Sequence, residues 1–315
     1  MDIEALVEGL LRGDRRALAR LLTRIEEGSA GIVRHVVSRL HPHTGRAALV
    51  GVTGAPGTGK STLVNALVGV WRGQERRVAV LAIDPSSPFS GGALLGDRVR
   101  MQDHALDGGV FVRSMASRGQ LGGLSWAAPQ ALLALDAAGF DVVITETVGV
   151  GQAEVEVTGV ADTTVVVLAP GMGDAIQAAK AGILEIADVF CVNKGDRQGA
   201  SRTVAELREL QTLGDTGRAG APIVVTTASS GEGVEDLAAA IDEHRNALVA
   251  RDGLAQRRTA RARLQIREVA LGTVRDRAAQ LTGAAGLNDL AAAVARRELD
   301  PYTAADRLLD ELALM

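Results

Sequence analysis

Apolar positions follow two regimes along the chain. From residue 3 to 27, Leu6, Leu10 and Leu11 lead into Leu18, Leu21, Leu22 and Ile25 at the i, i+3, i+4, i+7 spacing of one helix face. This predicts a helical preface, broken near Gly13. From residue 47 onward, short β-branched runs alternate with helical stretches, which predicts strands over 47–53, 78–84, 110–115, 141–147, 163–169, 189–193 and 223–227. Runs such as VVIT and TVVVLA are apolar on both faces. Such strands suit a mainly parallel sheet covered by helices on both sides, an α/β fold. After residue 242 the strand pattern stops. Residues 254–281 predict a long helix with Ile266, Val269, Ala270 and Val274 on one face, ended by Gly283 and Gly286. Two shorter helices follow, the last entered at Asp300 and Pro301 and carrying Ala305, Leu308, Leu309 and Leu312 at core spacing. The expected organisation is an N-terminal helical extension over 1–45, an α/β domain over 46–245 and a C-terminal helical arm over 246–315. The arm buries little by itself, so it packs on the sheet domain or on the same arm of a second subunit.

Composition narrows the chemistry. A chain of 315 residues is ample for a core without staples, and the single cysteine, Cys191, excludes an internal disulfide framework or a multi-cysteine metal cage. A reducing, cytoplasmic setting fits. Cys191 itself, in an apolar run, reads as core. The net charge of −4 provides no global basic field for nucleic acid or an anionic membrane, and the few aromatic residues form no platform for stacking bases. Asp2, Glu4, Glu8, Arg12 and Asp14 interrupt any apolar leader, and the longest uncharged stretch, 119–135, is broken by glycines and Pro129, so neither export nor a membrane span is expected. His41 and His43 flank Pro42 with no cysteine partners nearby, which reads as a solvated turn and not a metal site. Of 34 basic residues only Lys60, Lys180 and Lys194 are lysine. In an arginine-dominated chain, a lysine points weakly to a place where a forked guanidinium fails.

One such place is evident. Gly54-Ala55-Pro56-Gly57-Thr58-Gly59-Lys60-Ser61 fits G-x-x-x-x-G-K-S, directly after a strand and before the helical stretch that opens at Thr62. The glycines let backbone N–H groups turn inward onto a polyphosphate, and the helix N-terminus adds partial positive charge. Lys60 then bridges the terminal phosphates and Ser61 ligates Mg²⁺.

The base is read from Asn193-Lys194-Gly195-Asp196 at the end of the strand VFCVN, which fits N-K-x-D. A carboxylate at Asp196 accepts from the N1–H and exocyclic amine of guanine; adenine offers neither, so an unpaired buried carboxylate disfavours ATP. The stem of Lys194 lies over the purine while Asn193 ties this loop to the phosphate loop. Thr227-Ala228-Ser229 is placed to offer backbone N–H groups, Ala228 among them, to the guanine oxygen. Glu146-Thr147-Val148-Gly149 ends another strand, where nucleotide hydrolases place an acid for metal-bound water and a glycine N–H for the γ-phosphate. Asp84 and Asp97, at or near strand ends, are natural magnesium carboxylates.

The segments IDPSSPFSGGALLGDRVRM, RSMASRGQLGGLS, ITETVGVGQAEVEV and NKGD, in this order and with the phosphate loop, resemble the MeaB/ArgK family of G-proteins over almost the whole chain. The resemblance implies a P-loop GTPase that binds GTP/GDP and Mg²⁺ and acts as chaperone of an adenosylcobalamin-dependent acyl-CoA mutase, gating cofactor loading; the adenosylcobalamin sits on the partner. It implies that Asp84, Asp97 and Glu146 line the magnesium and γ-phosphate, and that residues 170–180, with Asp174, Gln177 and Lys180, signal to the mutase. It also suggests a homodimer. No glutamine directly follows Gly149, since Val150 and Gly151 precede Gln152, so slow intrinsic turnover is expected, with Lys180 or Gln177 completing the site when the partner binds. Two rival readings share the nucleotide core: a metallochaperone GTPase, which would need a Cys- or His-rich motif, and a small-molecule kinase using ATP, which N-K-x-D opposes.

Overall fold

The computed structural model describes residues 2–84, 102–104, 106–116, 127–147, 159–171, 186–213, 220–282 and 285–313. They divide into two compact units, Met1–Leu254 and Ala255–Met315.

The first unit is built on a seven-stranded sheet whose strands are β1 (Ala48–Thr53), β2 (Val78–Asp84), β3 (Val110–Ala116), β4 (Val142–Thr147), β5 (Thr163–Leu168), β6 (Val189–Asn193) and β7 (Ile223–Thr226). Their spatial order is β3-β2-β4-β1-β5-β6-β7 and every pairing is parallel. The strands fall within a residue or so of the apolar runs that predict them. Three of them, β4, β5 and β6, are buried at every position, the expected result for parallel strands with both faces covered.

Alternation along each strand sorts the side chains into two layers. Ala79, Leu81, Ile83, Phe111, Met115 and Val143 share a core with the N-terminal helices α1 (Ile3–Leu11), α2 (Arg15–Glu27) and α3 (Ala30–Leu40) and with α5 (Ala128–Ala137). Val78, Val80, Val110, Val142, Ile144, Val165 and Cys191 face the other way, onto α4 (Lys60–Gly73) and α7 (Val234–Ala250). A smaller cluster joins Val166, Phe190 and Val192 to Leu207 of α6 (Ala200–Leu213). The preface is thus part of the sheet's own core. Asp14 ends the break between α1 and α2 by accepting from Arg16 and Ala17 N–H, a carboxylate N-cap. Helix α3, which falls within the helical extension expected over 1–45 but beyond the periodic stretch 3–27, packs Val36 and Leu40 into the same core.

The second unit holds most of α8 (Gly253–Thr282), then α9 (Ala285–Ala295) and α10 (Pro301–Ala313). Asp300 caps α10, accepting from the N–H groups of Tyr302 at 2.9 Å and Thr303 at 3.1 Å. One expectation is corrected: Ala305 is exposed and Ala304 is buried, with Leu308 half-buried. The inward stripe of α10 therefore runs through 304 and the expected Leu308, an i, i+4 pair, so that Ala304 takes the place expected of Ala305; the side chains of Leu309 and Leu312 lie outside the described residues. On α8, Leu264, Ile266, Val269, Leu271 and Val274 are exposed, Ile266 by 69%.

Candidate functional site

The phosphate-loop segment leaves β1 at the centre of the sheet and enters α4. Gly54 has φ 143°, and a Cβ there would lie 2.2 Å from the Val167 carbonyl oxygen on β5, so the loop passes the neighbouring strand with no room for a side chain. Gly59 has φ 91° and forms the N-cap of α4, which no side chain caps. By helix geometry the first-turn N–H groups have no acceptor within the helix, and such an end attracts an anion. Thr58 is buried and braces the turn by donating its hydroxyl to Ala55 O at 2.9 Å.

Two of the predicted site residues meet directly. The Ser61 hydroxyl, on the first turn of α4, donates to Glu146 Oε1 at 2.7 Å. Glu146 is fully buried at the end of β4, in register with Val52 of β1 and Ala82 of β2, so the sheet delivers it to the foot of the phosphate loop. A hydroxyl and a carboxylate in contact are a hard-oxygen donor set suited to Mg²⁺. The Lys60 ammonium is buried and donates to Gly54 O at 2.6 Å and Ala55 O at 3.1 Å, which holds it inside the curve of the loop. Among the described residues no group of three or more His, Cys, Asp or Glu gathers as a metal cage. No helix of the described residues is long and apolar enough to cross a membrane.

The base-reading segment stands beside this loop. Asn193 is buried, and its amide nitrogen donates to Thr58 O at 2.9 Å, a contact across 135 positions of sequence. A Cβ on Gly59 would lie 2.5 Å from that same nitrogen, so the glycine makes room for the asparagine as well as for the turn. The Lys194 ammonium donates to Gly57 O at 2.5 Å. Lys194 also adopts φ 59°, left-handed backbone that costs a non-glycine residue about 1 kcal/mol. That cost is offset by the lysine's own contact with the loop and by Gly195 N–H donating to Thr226 O at 2.9 Å. Asp196, next along, is exposed at the open face of the segment.

Ala228 has a different partner from the one expected of it. Its N–H donates to Asn193 Oδ1 at 3.1 Å, so it braces the asparagine. The Thr226 hydroxyl donates to the same oxygen, also at 3.1 Å. Thr226 carries no motif and only its register opposite Asn193 reveals it. Asp97, Gly149, Gln152, Asp174, Gln177 and Lys180 lie outside the described residues, as does the side chain of Asp84, whose backbone ends β2.

The family model described as methylmalonyl Co-A mutase-associated GTPase MeaB matches residues 18–282. A relative in Pyrococcus abyssi is 44% identical over 314 residues, covering 98% of this chain and 97% of the relative. The methylmalonic aciduria type A homolog, mitochondrial, of Mus musculus is 32% identical over 279 residues, covering 81% of this chain and 66% of that protein. Among solved structures, a LAO/AO transport system kinase superposes with a TM-score of 0.70 at 26% identity, covering 99% of this chain and 97% of the other.

Proposed function

The chain belongs to the MeaB family of methylmalonyl-CoA mutase-associated GTPases, and we propose that it binds and hydrolyses GTP at the C-terminal edge of β1, β4 and β6. It is a P-loop GTPase that uses GTP/GDP and Mg²⁺ and serves as chaperone to an adenosylcobalamin-dependent acyl-CoA mutase, which itself carries the cobalamin. The observation that carries the site assignment is the 2.9 Å hydrogen bond from Asn193 to Thr58 O, because it ties the N-K-x-D segment directly to the phosphate loop, so that one nucleotide can touch both.

In this reading the loop 54–59, with Thr62 on the first helical turn, wraps the phosphates with backbone N–H groups. Lys60 leaves the loop carbonyls for the terminal phosphate oxygens and stabilises the negative charge that spreads over them as the bond to the leaving group stretches. Ser61 and Glu146 would hold Mg²⁺, with Asp84 and Asp97 as further carboxylates, and the ion would supply neutralisation of charge on the phosphate oxygens. Gly149 meets the γ-phosphate. Asp196 accepts from the guanine N1–H and amine, and Lys194 lays its stem across the ring. Gln177 and Lys180 complete the hydrolytic site when the mutase engages residues 170–180.

We also propose that residues 246–315 form a dimerisation arm in a cytoplasmic homodimer. The exposed Leu264, Ile266, Val269, Leu271 and Val274 on α8 support an apolar contact with a second copy, which sedimentation of the full chain tests by giving twice the monomer mass.

Calorimetry on nucleotide-stripped protein tests the site: GTP with magnesium binds at least about a hundredfold more tightly than ATP, because adenine leaves the Asp196 carboxylate facing an acceptor and without its two donors, and equal affinities would end the assignment. Adding the holo-mutase raises the rate of phosphate release, and Lys180→Ala removes that rise while leaving the basal rate in place.

A further inference from the structure

We infer that Thr226 is a positioning residue for guanine recognition, the middle member of a buried hydrogen-bond relay that runs from Cys191 through Thr226 to Asn193 and on to the phosphate loop. The inference rests on the reading that residues 193–196 recognise the base.

The polarity of the relay follows from its backbone ends. Thr58 O accepts only, so the Asn193 group facing it at 2.9 Å is the NH₂. Ala228 N–H donates only, so the Asn193 atom facing it at 3.1 Å is the oxygen. The amide orientation is therefore fixed by chemistry and not by choice between two similar atoms. Thr226 Oγ1 stands 3.1 Å from that oxygen and must donate its one hydrogen there. The same Oγ1 lies 3.2 Å from Cys191 Sγ, and with its hydrogen committed it can only accept, so the thiol donates. Burial pushes the Cys191 thiol up to about 12, so the sulfur keeps its hydrogen throughout the neutral range.

Register explains why these three groups meet. Thr226 pairs with Asn193, and Cys191 lies two positions earlier on the same face of β6, so one hydroxyl on β7 reaches both. All three side chains are buried, with Cys191 fully so and Thr226 at 1% exposure. Without the hydroxyl, the amide oxygen keeps a single donor and the thiol loses its acceptor. Asn193 then loosens against Thr58, and the base segment loses its fixed distance from the phosphate loop.

The test uses the full chain, stripped of nucleotide, with GDP and magnesium as the probe. Thr226→Val preserves shape and removes the hydroxyl. Its Kd for GDP rises about tenfold, the worth of one buried hydrogen bond, through faster dissociation of a fluorescent GDP, while kcat at saturating GTP stays within about twofold because the hydroxyl touches no phosphate-loop atom. Thr226→Ser restores wild-type affinity. The inference fails if Thr226→Val binds GDP as wild type does, or if Thr226→Ser is as weak as Thr226→Val, which would assign the effect to packing. Should Thr226→Val not fold, Cys191→Ala carries the test: GDP dissociation quickens about twofold, and an unchanged rate overturns the relay. Wild-type protein that prefers GDP to ADP, with unaffected variants, removes this inference alone; wild-type protein without that preference removes the base reading and the relay together.

Discussion

The two edges of the sheet use charge in opposite ways. Where the parallel strands begin, carboxylates accept from the backbone. Asp136 takes the N–H groups of Gly45, Arg46 and Ala47, Asp162 that of Leu49, Asp188 that of Thr164, Asp141 that of Arg77 and Asp107 that of Gly109. Where the strands end, the donors are side chains and the acceptors are backbone carbonyls: Lys60 on Gly54 and Ala55, Lys194 on Gly57 and Asn193 on Thr58. At the first edge the contacts are scattered over five separate carboxylates, which accept at or near strand entries: Asp162 and Asp188 from within β1 and β5, Asp136, Asp141 and Asp107 from the residues just before β1, β2 and β3. At the second they converge on one glycine-rich loop. A buried carboxylate at a strand end is thus no sign of function by itself. Asp136 and Glu146 are both buried, yet the first holds three backbone groups while the second meets the Ser61 hydroxyl, which we propose as a metal ligand.

Breaking each edge in turn separates catalysis from stability. Lys60→Ala, at the converging edge, lowers kcat for GTP hydrolysis by about 10²- to 10³-fold without changing the circular dichroism spectrum; single-turnover phosphate release measures it. Asp136→Ala, at the opposite edge, removes the carboxylate that accepts from three backbone donors and costs about 3 kcal/mol in urea unfolding, while GTP affinity stays within about twofold. A tenfold loss of affinity there would show that the two edges are not independent. Asp196→Asn weakens GTP binding by about fiftyfold and strengthens binding of xanthosine triphosphate, whose second ring carbonyl accepts from an amide where guanine offers an amine. Titration calorimetry of both nucleotides reports the exchange.

The smallest effect is pH-dependent. The bidentate Arg72 guanidinium, then the Gly109 N–H, hold the Asp107 carboxyl below its ordinary range. A carboxyl lowered in the folded state adds stability above its unfolded value near 4 and loses it as pH falls through the folded value. Asp107→Asn is therefore less stable than wild type at pH 7, and the gap between their unfolding midpoints closes in strong acid. A gap that persists at low pH would mean that the pairing with Arg72 contributes shape and not charge.

Much of this architecture is legible in one dimension, and the exceptions share a cause. The strands are legible because runs apolar on both faces suit little but a covered parallel strand, and the phosphate loop because G-x-x-x-x-G-K-S needs its glycines for backbone approach. Helix α3 lies inside the helical extension expected over 1–45 but is not delimited by the apolar pattern, because its buried Val33, Val36 and Leu40 form too short and broken a stripe around His35 and Arg39. Ala305 is misplaced because an apolar count does not fix the rotational phase of a helix. Ala228 and Thr226 depend on where a side chain from another strand comes to rest.

What the sequence determined by itself is the chemistry offered and the elements that carry it: a glycine loop with Lys60 and Ser61, a carboxylate ending β4, an N-K-x-D segment ending β6. These are local, because backbone conformation and side-chain periodicity are set by neighbours in the chain. Only the tertiary structure decided the strand order, the contact of Ser61 with Glu146 and the placing of Asn193 between Thr58, Thr226 and Ala228. Those contacts join residues 33 to 135 positions apart, and burial pattern tells a residue which face it occupies without telling it which strand stands beside it.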